Sequence, residues 1–497
     1  MRGAQPRTLF FYTLWTSLAI KLALAAALPL TSDEAYFFLW GLNPDWGFYD
    51  HPPMVGWWLA GLLPFGDALW WLRMPAILLS AIIGLGIVYL LRDQDEDLAW
   101  LTGALYLVAP MSMLSALITT DTPLLLFIFL TGASFYLAIR REQFAWFILA
   151  GLFLGLALLS KYFAGLMAVA LAAYLPFAQH RLRVFSGLVV MALISGALFA
   201  INIYWNYGHC WDNFLFNFIN RNQDPVPWYT PIMYLLTLGY VLTPPVAWYL
   251  LRRRGEGAMP QPDTRLFLVL NLVPFGLLGL LSFGKIIGLH WLLGFYAFSF
   301  ILLALQSGTE SVRKSWRFNI GFSLLHLIVV FGIILTPWHL LPLPADKQKA
   351  ITDAIHGDWV WAELEPLAQN RAVFTHSYAG AAEMAYHAKR HIGVFGEGSY
   401  HARQDDRLSD FAALDGKDFL IYLNRHHEPD TYSPYFEHIE YRTVNVRGSE
   451  FEVVLGTGFR YPVYRDKVLK RINERFYNIP HGWPVGGCHF KEHYQLP

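Results

Sequence analysis

About eleven apolar runs of roughly twenty residues, each long enough to cross a bilayer, are strung along this chain between short polar links. No other feature constrains the fold as much. Hydrocarbon offers no water to satisfy backbone N–H and C=O groups, so runs of this kind fold as helices. Hydrophobic residues make up 55% of the 497 and charged residues 15%, a balance outside that of ordinary soluble domains. The expected fold class is therefore a polytopic α-helical membrane protein. A net charge of zero gives no hint of nucleic-acid binding.

Clusters of Lys and Arg mark cytoplasmic ends of spans. The runs fall at about 9–30, 74–91, 98–118, 122–139, 144–160, 162–178, 184–205, 231–251, 265–283, 288–306 and 318–338. Arg92, Arg140-Arg141, His180-Arg181, Arg252-Arg253-Arg254 and Arg313-Lys314 then share one side with the N-terminus. Asp33, Asp121, Lys161, the 206–230 loop, Lys285 and His290 share the other. Residues 34–71, interrupted by Gly, Pro and Asp, read as aromatic-rich helices lying along the interface. Ala25-Ala26-Ala27 has the small residues of a signal-peptidase site and is read as part of an uncleaved first span.

Composition changes near Leu340, which divides the chain into a membrane domain at 1–340 and an extracytoplasmic soluble domain at 341–497. Strand-like runs at Arg371–Phe374, His391–Phe395 and Phe419–Leu423, with a helix over Tyr378–Arg390, give the second part a mixed α/β character. Cys210 and Cys488 cannot build a disulfide framework. They could form one bridge in an oxidising compartment, although distant lone cysteines are usually free thiols. Glu383, His387 and His391 share a helix face, but without an HExxH or CxxC pattern no metal site is expected there. Lys21, in the middle of the first span, requires a buried partner. Gly151 and Gly155 suit a close helix contact.

The densest polar stretch is Thr31–Pro53, TSDEAYFFLWGLNPDWGFYDHPP, just past the first span. Asp33 and Glu34 suit the first turn of a helix, where carboxylates meet its positive end. The whole string also resembles the "DEAYY … dWGYyDHPP" first loop of bacterial GT-C membrane glycosyltransferases related to protein O-mannosyltransferases and the lipid A aminoarabinose transferase. Further segments are similar to that family's motifs. Thr119-Thr120-Asp121-Thr122-Pro123 resembles "tpDaP", Gly155 to Tyr162 resembles "GLalLSKYt", and Lys285 with His290-Trp291 resembles its late "K … HW" loop. Trp205-Asn206 through Asn217 to Arg221 resembles "WN..h.w.sflfq…R", with Asn217 where relatives often carry Gln.

The resemblance implies a polyprenyl-phosphate-sugar donor and an envelope acceptor, either lipid A or lipopolysaccharide core, another glycolipid, or protein. It places the chain in the bacterial inner membrane with the site facing the periplasm. A departing phosphate needs no general acid, only nearby cations, while the acceptor needs a carboxylate. Asp33 is the candidate carboxylate, with Glu34 and Asp121 as the other catalytic candidates. Lys161, Arg221, Lys285 and His290, with Tyr49, Asp50 and His51, are the substrate- and phosphate-binding candidates. No cofactor is called for; two acidic loops near a phosphate could recruit a divalent cation or work without one. The rival reading is a transporter or flippase of lipid-linked sugars, which would show paired half-repeats and broken midplane helices.

Overall fold

The computed structural model describes residues 5–220, 226–252, 261–338, 341–398, 401–423 and 431–496. The chain gathers into two compact units. The first comprises Met1–Leu28, Pro64–Ile201 and Asp224–Leu335, and the second Pro29–Leu63, Asn202–Gln223 and Thr336–Pro497.

The first unit is helical. Among the described residues, six helices are long and apolar enough to cross a membrane: Pro6–Ala27 (α1), Leu69–Leu91, Asp121–Arg140, Arg181–Tyr207, Asp263–Leu281 and Leu289–Leu335. The pair Thr230–Leu242 and Pro244–Leu251, bent by 102° where Pro244 follows Thr243, would make a seventh. The remaining apolar runs are present in other forms. Pro110 divides the 98–118 run into Glu96–Val108 and Pro110–Leu114. Ala145–Leu158 and Tyr162–Phe177 are shorter helices. The 47 residues of Leu289–Leu335 would reach about 70 Å at 1.5 Å per residue. They hold two of the expected runs, separated at Gly308, whose φ of 67° and ψ of −178° are not helical.

Polar residues inside this unit find partners. Lys21 is fully buried and donates to Ala76 O at 2.8 Å, Ser80 Oγ at 2.9 Å and Ser115 Oγ at 3.2 Å. Arg73 donates Nη1 to Ala25 O and Leu28 O, both at 2.8 Å, satisfying carbonyls that the end of α1 leaves open. A Cβ on Gly151 would come within 2.8 Å of Met191 Cα, so a larger residue there would push the two helix backbones apart.

The second unit is built on a five-stranded sheet of order β2-β1-β3-β5-β4. Its strands are Ala372–Thr375 (β1), Gly393–Val394 (β2), Phe419–Leu423 (β3), Phe436–Val446 (β4) and Ser449–Phe459 (β5). The first three are parallel; β5 runs antiparallel to β3 and closes a hairpin with β4. Arg447 and Gly448, both at positive φ, make the two-residue turn that matches strand twist. β3 is buried along its whole length and reads FLIYL, as a central strand covered on both faces should. The aromatic core of Phe374, Phe395, Phe419 and Phe459 also takes in Tyr49 and Cys210 from distant parts of the chain. The 207–211 segment is stitched to 484–488 by Gly486 N→Tyr207 O at 2.9 Å and Cys210 N→Gly487 O at 3.1 Å. Cys210 and Cys488 are bonded to each other, which corrects the expectation of free thiols.

Unreduced protein should therefore show no alkylatable cysteine, and reduced, unfolded protein should show two. Replacing both with Ser should destabilise the second unit by about 2–5 kcal/mol in denaturant unfolding. Thiol labelling before reduction would contradict the bridge.

Candidate functional site

In the second unit, the sequence Thr31-Ser32-Asp33-Glu34 folds into a capping box at the start of the helix Ser32–Leu42 (α2). Thr31 Oγ1 accepts from Glu34 N at 3.3 Å, and Glu34 Oε2 accepts in return from Thr31 N at 3.3 Å and Thr31 Oγ1 at 3.1 Å. Glu34 is buried and committed to the cap. Asp33, one residue earlier in the same turn, is exposed, and its carboxylate makes no hydrogen bond or ion pair among the described residues. The two neighbouring carboxylates thus divide between holding the helix and facing outward.

The end of the first loop is held rather than open. Asp50 is buried and accepts from Arg403 Nη1 at 2.8 Å and Tyr36 OH at 3.3 Å. Burial raises its pKa, and the Arg403 guanidinium opposes that rise without cancelling it. Tyr49 is buried against Phe216, His401 and Tyr477, and its N–H donates to Gln404 Oε1 at 3.0 Å. His51 is half-buried, and its carbonyl accepts from Phe48 N at 3.0 Å. Three asparagines of the 202–217 segment hold alternate carbonyls of this loop. Asn202 donates to Trp46 O at 3.0 Å, Asn213 to Phe48 O at 3.0 Å and Asn217 to Asp50 O at 2.9 Å. That is what the Asn217 amide does here. Arg221 lies outside the described residues.

Arg403, Gln404 and Arg407 were missed by sequence reasoning. Arg403 lies over the Tyr378 ring at 3.9 Å and Arg407 pairs with Asp45 at 2.9 Å. The available signal was His401-Ala402-Arg403-Gln404-Asp405-Asp406-Arg407, a dense polar run in a sparsely charged chain.

In the first unit, Asp121 begins the helix Asp121–Arg140 and Lys161 sits in the extended turn after Ala145–Leu158. Lys161 Nζ donates to Asp121 Oδ1 at 2.9 Å and Oδ2 at 3.0 Å, with both side chains largely buried. The next ring but one, Phe163, packs on Trp291 with centroids 4.0 Å apart. Lys285 Nζ lies 5.6 Å from the same Trp291 ring, and the exposed His290 precedes it. Lys285 and His290 thus adjoin Trp291, and the ring two residues after Lys161 packs on the same indole.

Residues 50–205 match the family described as dolichyl-phosphate-mannose-protein mannosyltransferase. The lipid A galacturonosyltransferase RgtD of Rhizobium johnstonii is 29% identical over 223 residues. The match covers 44% of this chain and 45% of that relative, so it spans less than half the relative's length. The structure resembles that of ArnT from Cupriavidus metallidurans, both apo and bound to undecaprenyl phosphate. In each case the TM-score is 0.59 and the identity 15%, covering 89% of this chain and 97% of ArnT.

The Asp121–Lys161 contact yields a measurable coupling. Asp121→Asn and Lys161→Met should each destabilise the protein, and the double variant should lose less than their sum by about 1–3 kcal/mol. Strict additivity in thermal unfolding would mean that the pair does not interact.

Proposed function

We propose that this chain, whose residues 50–205 match a protein mannosyltransferase family and whose fold is that of ArnT, transfers a sugar from a polyprenyl-phosphate donor to an envelope acceptor. Asp33 carries the reading. It is the exposed, unpartnered carboxylate of a rigidly capped turn, beside a Glu34 that the cap has already engaged. In the proposed step the bond between the anomeric carbon and the phosphate oxygen breaks, and phosphate leaves as a stabilised anion. The acceptor oxygen bonds to the same carbon through an oxocarbenium-like state, and its proton passes to Asp33. An acceptor that is already an anion would instead be oriented by that carboxylate.

Lys285 and His290, with Lys161, meet the donor phosphate in this reading. Lys161 has three N–H donors, so it can hold Asp121 and still turn one towards an entering phosphate. The lipid A substrate of the galacturonosyltransferase relative supports a lipid acceptor, and undecaprenyl phosphate in ArnT supports the donor class. We place the chain in the bacterial inner membrane, with Asp33 and the 341–497 domain in the periplasm. The basic clusters at the opposite loop ends support that orientation, as does a disulfide, which persists in oxidising compartments.

A flippase of lipid-linked sugars is the second reading, and the helix pair broken by 102° is the observation in its favour. One experiment separates the two. Mass spectrometry of lipid A, core oligosaccharide and envelope proteins should find a sugar increment in cells with wild type, and none in cells lacking the protein. Asp33→Asn should reduce it by about 100-fold or more, the scale of general-base catalysis. If the increment survives in Asp33→Asn, Asp121 replaces Asp33 as the catalytic candidate. If no acceptor changes while lipid-linked sugar accumulates on one leaflet, the chain is a flippase.

A further inference from the structure

Asp33 can act only if the turn that carries it is held still, and that turn is fastened at a second point besides its cap. Ser32 Oγ donates to Glu383 Oε1 at 2.5 Å, across 351 residues of sequence and within the second unit. Glu383 sits on the helix Tyr378–Ala388 (α3), which Ser377 caps by accepting from Gly380 N at 3.1 Å. Two aromatic pairs align this helix with α2: Tyr36 on Tyr378 and Phe38 on Tyr386, each with centroids 4.9 Å apart. Ser32 and Tyr36 are one turn apart on α2, so the polar bond and the first aromatic contact lie along one edge. Asp33 follows Ser32 by about 100° around the axis and is left on the exposed side.

We propose that Glu383 is a positioning residue for the transfer: by holding the Ser32 hydroxyl, it fixes the first turn of α2 and so sets where the Asp33 carboxylate meets the acceptor. The inference rests on the reading of Asp33 as the catalytic carboxylate. It gives a purpose to an acidic side chain that the helix face shared with His387 leaves otherwise unexplained; His391 lies beyond the end of the helix at Ala388.

The surroundings make this contact responsive to pH. Glu383 lines a cavity of about 10 Å³, room for about one water, with Asp353, Thr375, His376, Ser377 and Tyr422. Burial pushes the Glu383 carboxyl up to about 7; the Ser32 hydrogen bond lowers it and the Asp353 charge raises it further. The titratable groups facing it are Asp353, whose Oδ1 accepts from Tyr422 OH at 2.6 Å, His376 at the end of β1, and His387 one turn along α3. An ionised carboxylate accepts the Ser32 hydroxyl more strongly than a neutral one. Positioning therefore strengthens as pH rises through about 7. Stability runs the other way. A folded-state pKa above the unfolded value favours the fold below the unfolded pKa, and that contribution is lost as pH rises through the folded one. A merely structural glutamate would show the second trend without the first.

The test uses full-length protein with two readouts. Hydrogen exchange of the peptide covering residues 30–37 needs no substrate: Glu383→Ala and Ser32→Ala should each speed exchange of its first helical turn about tenfold, and the double variant no further. Unchanged exchange in both single variants overturns the positioning role. The transfer rate, measured as the sugar increment on the envelope acceptor, should fall about 10- to 100-fold in Glu383→Ala, as a kcat effect with the acceptor KM unchanged. Glu383→Gln keeps the acceptor oxygen and should restore most of the rate, while removing the rise in activity across pH 6–8. A Glu383→Gln profile that still rises there overturns the proposal. Asp33→Asn separates the two claims, since it should abolish transfer and leave the exchange of residues 30–37 as in wild type. Activity in Asp33→Asn would remove the catalytic reading; inactive Asp33→Asn with unaffected Glu383→Ala would remove only the positioning role.

Discussion

Burying the Asp50 carboxylate costs several kcal/mol even after the protein relaxes around it, and the second unit is arranged to offset that cost. Arg403 meets the charge directly, and Tyr36 adds a second donor. The same guanidinium lies over the rings of Tyr378 and Phe216. One side chain thus ties together the first loop, the 202–223 segment and the sheet-bearing C-terminal part. Removing either member would leave the other charged and buried without its partner, which is more damaging than losing an exposed pair. The Cys210–Cys488 bond acts on the same assembly from another side, closing a separation of 278 residues. A loop held this firmly can present α2 in one orientation.

The parts of this arrangement that sequence made visible were those encoded locally. Asp33 and Glu34 fall in the first turn of a helix, as adjacent carboxylates just past a span suggest, and the run at Phe419–Leu423 is apolar without interruption, as a strand buried on both faces must be. The β4–β5 hairpin escaped notice because β4 is mostly exposed and reads as a polar segment. The partners of Asp50, Ser32 and Cys210 were invisible for a different reason. They lie hundreds of residues away, and no local pattern says which of many charged residues will arrive. Hydropathy likewise counts apolar residues but is blind to bends. The break at Thr243 and the non-helical Gly308 alter how the runs at 231–251 and 288–338 are cut into helices without altering their composition.

Asp33 and Glu34 show how far a doublet can be resolved by geometry. Neighbours on a helix point about 100° apart, so two adjacent carboxylates cannot serve the same contact. The cap selects the residue three after Thr31, and that is Glu34. What remains for Asp33 is solvent, or whatever polar group enters there.

The first unit poses the converse problem. A lysine at a membrane boundary is costly until it meets an anion, and Lys161 meets Asp121 through both carboxylate oxygens. While that pairing holds, both carboxylate oxygens of Asp121 accept from the same ammonium. In the proposed reading Asp121 orients Lys161 for the donor phosphate. An entering phosphate would then find the cation already desolvated and aimed, so less ordering is needed at the moment of binding. Lys285 has its ammonium over the face of Trp291, a surface that attracts cations weakly. Within this unit the two lysines are thus held differently, one by a carboxylate and one beside an aromatic face.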